Sequence, residues 1–107
     1  MNAVPKTMPD QFEDKVAEAA ALLRTMGNEN RLMILCRLGG EELSVGTLGQ
    51  SFQISQSALS QHLAVLRDQG LVATRKEGQT VYYRIADPAV GSIITTLASI
   101  YCPEMLL

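Results

Sequence analysis

With 107 residues, 47% of them hydrophobic, the chain can build one small domain and not two. No stretch approaches the ~20 apolar residues of a membrane helix, so no membrane partner is expected. Two cysteines are too few for a secreted disulfide scaffold, and the net charge of −2 argues against carpet-like coating of nucleic acid.

Residues 1–9, with two prolines, read as a flexible N-terminal tail ahead of a single domain over 10–107. The opening MNAVPKTMPDQFEDK has no apolar core of a secretory signal, so a cytoplasmic protein with reduced thiols is expected. Asp10 with Glu13 can form a capping box. Phe12, Val16, Ala19, Ala20 and Leu23 then mark the buried face of a first helix over about 10–26, ended by Gly27. Asn28 caps a second helix, which turns Leu32, Leu35, Cys36 and Leu38 inward and stops at Gly39-Gly40.

Ser44 opens a short third helix, with Gln53 and Ile54 making the turn into a fourth. In SQSALSQHLAVLRDQGL, Ser55 is the cap and Gly70 the left-handed stop. Leu59, Leu63 and Leu66 form an apolar stripe. Gln56, Ser57, Ser60, Gln61 and His62 decorate the first two turns without an acid among them. Two short helices joined by a turn over about 44–69 have the length of a helix-turn-helix, and such a polar N-terminal end suits a DNA major groove.

The next segments sharpen that reading. LVATRK and TVYYRI alternate apolar and polar residues around Glu77-Gly78-Gln79, which makes a β-hairpin, or wing, over about 71–85. From Ser44 to Ile85 the bases Arg67, Arg75, Lys76 and Arg84 outnumber Asp68 and Glu77, giving +2 against −4 for the rest. Asp87-Pro88 starts a last helix over about 88–102, with no charge up to Pro103. Its stripe of Val90, Ile93, Ile94, Leu97, Ile100 and Tyr101 needs a cover, and the same helix of a second subunit, packed with the first helix, would supply it. The expected fold is mainly α with a small β-hairpin: four helices, two strands and a fifth helix, a homodimeric winged helix-turn-helix.

For a double-stranded palindromic operator, Gln56, Ser57, Ser60 and Gln61 are the candidate base readers. Thr47, His62, Arg67, Arg75, Lys76, Gln79 and Thr80 are candidates for phosphate or wing contacts.

Four ordered segments resemble the ArsR/SmtB family of dimeric winged-helix repressors. They are NENRLMILCRL (28–38), ELSV with Leu48, SQSALSQHL (55–63), and Gly70-Leu71-Val72 with the Arg75–Tyr83 hairpin. Many members sense metals through cysteines on the third helix or Asp/His pairs on the fifth. Here Ser44 stands at the cysteine position, Gly46 follows Val45, and the fifth helix has neither Asp nor His. No metal and no cofactor is therefore expected, and His62 is the only histidine.

The positions of Cys36 and Cys102, with the Tyr101-Cys102-Pro103 ending, resemble those of the SqrR/BigR/HlyU-like subgroup. That resemblance implies a dithiol answering reactive sulfur species or other thiol oxidants as inducers. Cys102 lies off the arc of Ile93, Leu97 and Ile100, which suggests a second contact against the second helix of the same subunit, and Arg37 is the only adjacent cation that could tune Cys36. The alternatives are a metal-responsive repressor with an unrecognised site, a constitutive DNA-binding dimer, and an interaction module that binds no DNA. Without Cys-x-x-Cys or a βαβ pattern, a thiol oxidoreductase is disfavoured, and no enzyme is expected.

Overall fold

The computed structural model describes residues 10–106, so the expected tail over 1–9 lies outside the described residues. The elements are α1 (Asp10–Met26), α2 (Glu29–Leu38), β1 (Leu43–Ser44), α3 (Val45–Ser51), α4 (Gln56–Asp68), β2 (Val72–Glu77), β3 (Thr80–Ile85) and α5 (Pro88–Tyr101), followed by a 3-10 turn at Pro103–Leu106. This is a winged helix-turn-helix, mainly helical with a small antiparallel sheet.

Each helix starts where a side chain can take up free backbone N–H groups. Asn28 Oδ1 accepts from the N–H groups of Asn30 and Arg31, Ser44 Oγ from Thr47, Ser55 Oγ from Ala58, and Asp87 Oδ1 from Ala89. α1 is described from its first helical residue, Asp10, so the residue before it lies outside the described residues. Its last carbonyls are served from the next helix: Arg31 donates to Thr25 O at 2.6 Å and to Arg24 O at 3.5 Å.

The core is built from Ile34, Leu35 and Leu38 of α2, Leu48 of α3, Leu59, Leu63 and Leu66 of α4, with Met26, Leu71, Val72 and Val90 around them. Ile54 and Leu59 occupy the two positions of a hydrophobic staple about the Ser55 cap, and both join this cluster. The entry angle of α4 is therefore set by packing as well as by the cap.

Three expectations change. The hairpin is part of a three-stranded sheet in the order β1-β3-β2, with Leu43 opposite Tyr83 and Ser44 opposite Tyr82. A strand of two residues is too short to show an alternation. Cys36 is exposed, and Ile34 takes the inward place on α2 beside Leu35 and Leu38. Phe12, Val16, Ala20 and Leu23 of α1 are exposed within one subunit and Ala19 is half-buried, whereas Leu22 and Met26 meet the core.

The hairpin register runs from Val72 opposite Ile85 to Glu77 opposite Thr80, leaving Gly78 and Gln79 as a two-residue turn with Gly78 at φ 62°. Gly70, at φ 78°, ends the run from α4 into β2. A Cβ at Gly70 would meet nothing within 4 Å, so only backbone strain opposes a side chain there. Gly70→Ala should cost about 1–2 kcal/mol, and Gly40→Ala, with equal space and no positive φ, should be neutral or slightly stabilising. Urea unfolding at one fixed protein concentration checks the pair.

Candidate nucleic-acid interface and thiol pair

Burying Leu59, Leu63 and Leu66 fixes the rotation of α4. With 3.6 residues per turn, Ser57, Gln61 and Ala64 then run down the centre of its outer side. Gln56, Ser57, Ser60 and Gln61 are all exposed, and the first turn carries no acid. The positive end of the helix dipole therefore opens on amides and hydroxyls with nothing to repel a phosphate. His62 sits half-buried at the edge of the leucine stripe, off the centre of that side. Asp68 and Val65 occupy the later turns, so the groove-compatible part of α4 is its first half.

Among the flanking candidates, Thr47, Arg67, Arg75, Lys76, Gln79 and Thr80 are exposed. Thr47 Oγ1 also accepts a hydrogen bond from the Ser44 hydroxyl at 3.0 Å, which holds it at the start of α3.

Arg75 departs from expectation. Its Nε and Nη2 fork onto Glu42 Oε2 and Oε1 at 3.2 and 2.7 Å, its Nη1 donates to Glu77 Oε2 at 2.6 Å, and the guanidinium lies 4.6 Å from the centre of the Tyr82 ring. This cation is engaged by two carboxylates while its side chain stays 47% exposed. The hydrogen bonds from Arg75 keep Glu42 below the usual carboxylate range. No sequence signal marked Glu42, because the pair spans 33 positions and forms only once the sheet is assembled.

The two thiols are free. Cys36 lines an open groove of about 410 Å³ between α2 and the turn after α3, shared with Glu29, Asn30, Leu32, Met33, Phe52 and Gln53. Although the residue is exposed, partial burial of the sulfur against these walls pushes its thiol up. Arg37 does not offset this: its Nη2 donates to the Ser51 carbonyl at 3.3 Å, joining α2 to the end of α3.

Cys102 is half-buried and closes α5, its N–H donating to Ala98 O at 2.7 Å. α5 packs chiefly on β3 and on the following 3-10 turn, whereas α2 packs on α1, α3, α4 and the same β3. Both helices pack on β3, and the direct packing expected between α5 and α2 is at most minor.

The apolar stripe of α5 divides. Val90 is fully buried in its own subunit and is withdrawn from any partner surface. Ile93 and Ile94 pack partly on the core, and Leu97 is half-buried. Ile100 and Tyr101 are 62% and 78% exposed, as Leu23 of α1 is 58% exposed.

Among the described residues no cluster of three or more His, Cys, Asp or Glu could hold a metal ion, and no helix is long and apolar enough to cross a membrane.

Residues 28–74 match the family described as bacterial regulatory protein, arsR family. The transcriptional activator HlyU of Vibrio cholerae is 52% identical over 92 residues, covering 86% of this chain and 85% of that protein. The crystal structure of the transcriptional repressor BigR from Xylella fastidiosa superposes with a TM-score of 0.83 at 36% identity, covering 90% and 98% of the two chains. The solution structure of the homodimeric winged helix-turn-helix DNA-binding domain Mb0332 from Mycobacterium bovis gives 0.74 at 25% identity over 94% of each chain.

The raised Cys36 thiol has a kinetic signature. In a Cys102→Ser variant, the midpoint of the pH–rate profile for iodoacetamide alkylation of Cys36 should lie above that of free cysteine measured alongside. A midpoint at or below that of free cysteine would contradict the desolvated environment.

Proposed function

The chain belongs to the arsR family of bacterial regulatory proteins, and from that membership we propose a cytoplasmic homodimeric repressor that leaves a palindromic operator when its Cys36–Cys102 dithiol is oxidised or bridged by reactive sulfur. Membership makes it a DNA-binding transcriptional regulator and not an enzyme. The dimer, the thiol chemistry and the direction of regulation are the proposal.

The single observation that carries the sensing half is where the two sulfurs sit. One lies in the groove against the helix-turn-helix turn, and the other closes α5 beside the exposed Ile100 and Tyr101. The likeness to BigR, a transcriptional repressor, supports the repressor half of the reading, whereas HlyU is named a transcriptional activator.

A persulfide RSSH reacts with one Cys thiolate to give Cys–S–SH and RSH. The second thiol then attacks the inner sulfur, giving a disulfide and hydrogen sulfide, so two thiols are oxidised and one sulfane sulfur is reduced. If both cysteines are first persulfidated, the two condense to a trisulfide with loss of hydrogen sulfide. That bridge is longer by one S–S bond of ~2 Å.

Either link would tether the end of α5 to α2. α2 in turn holds the head through Arg37 on Ser51 O and through the groove wall of Phe52 and Gln53. In a two-fold dimer the reading helices must meet half-sites ~34 Å apart, so displacing them would cost specific affinity.

The dimer is supported by the exposed Phe12, Val16, Leu23, Ile100 and Tyr101, with Ala19, Ala20, Ile93, Ile94 and Leu97 beside them. A second subunit would cover these side chains isologously.

Two measurements test the reading. Persulfide treatment followed by intact-mass analysis should show one bridge per subunit and lost binding to a duplex selected from random DNA. Cys36→Ser and Cys102→Ser should stay bound. Release in both serine variants would overturn the dithiol, and a wild type that stays bound would leave a constitutive or metal-responsive regulator. For base reading, Gln61→Ala should erase about 1–3 kcal/mol of preference at one base pair and leave non-selected DNA bound as before.

A further inference from the structure

Register alone places Ser44, Tyr82 and Arg75 side by side across the three strands, with β3 in the middle. Arg75 therefore reaches over the Tyr82 ring to a carboxylate on the far edge of the sheet. Glu42 stands immediately before β1, and β1 runs through the Ser44 cap straight into α3. One side chain thus joins the wing strand β2 to the peptide that launches the helix-turn-helix.

We propose that Arg75 is a positioning residue for DNA binding, one that sets the angle between wing and reading head through Glu42 and does not itself contact phosphate. The fork onto Glu42, the third bond to Glu77 and the stacked ring use both edges and one face of the guanidinium. A planar, bidentate and stacked contact has a definite orientation, which a lone ammonium would not have.

Strand alternation sends Lys76 to the other face of β2 from Arg75. The cation left exposed near the tip is therefore aimed by a wing whose hinge is fixed from behind. A wing free to rock would present Lys76, Gln79 and Thr80 over a range of angles and lose affinity by disorder, without losing a charge at the DNA.

The test uses reduced protein, so it is independent of the thiol reading and fails separately from it. Affinity for a duplex selected by the wild type from random DNA is measured against salt concentration for Arg75→Gln, Glu42→Gln, the double variant and Lys76→Ala, with thermal unfolding reporting that each is folded. A phosphate contact contributes about 0.9 to the logarithmic salt slope.

Positioning predicts that both single glutamine variants bind several-fold more weakly at unchanged slope and that the double variant is no worse than the weaker single. Lys76→Ala alone should lower the slope. Glu42→Gln binding as well as or better than the wild type overturns the proposal, because an Arg75 released to the DNA would then be the contact. A slope lost in Arg75→Gln, or fully additive losses in the double variant, overturns it equally.

Discussion

A helix can bury only one stripe, and α4 spends its stripe on Leu59, Leu63 and Leu66. Everything presented outward follows from that choice. Once those leucines interlock with Ile34, Leu35 and Leu38 of α2, the rotation of α4 is no longer free, and Ser57 and Gln61 have a single direction to face. The staple of Ile54 and Leu59 and the Ser55 cap fix the remaining tilt. The outward face of α4 is thus set by apolar packing on the hidden side, and its polar residues inherit an orientation they do not create.

Periodicity made most of this legible before any coordinates. Caps at Asn28, Ser44, Ser55 and Asp87, the stop at Gly70 and the hairpin around Gly78 are local devices, each written within a few residues. What escaped was non-local or too short. β1 exists because Tyr82 and Tyr83 offer an open strand edge, and nothing in Leu43-Ser44 announces it. The Glu42–Arg75 fork needs three strands in register before its partners meet.

Cys36 shows a different limit. A small sulfur-bearing side chain reads as core by hydropathy, and one helical step separates it from the buried Leu35. The side chain that completes the inward trio was Ile34. The stripe on α5 likewise reads as one surface, although Val90 belongs to the subunit's own interior and Ile100 and Tyr101 do not. Apolar periodicity says that a face must be covered and leaves open which neighbour does so.

The separation of Cys36 from the core has a consequence for how such regulators diversify. Side chains that hold the fold are constrained by packing density, so few substitutions survive there. A sulfur in an open groove beside Phe52 and Gln53 answers to no such constraint. Its replacement leaves every buried leucine where it stood, so the chemistry presented at that position can change while the packing that aims α4 stays intact.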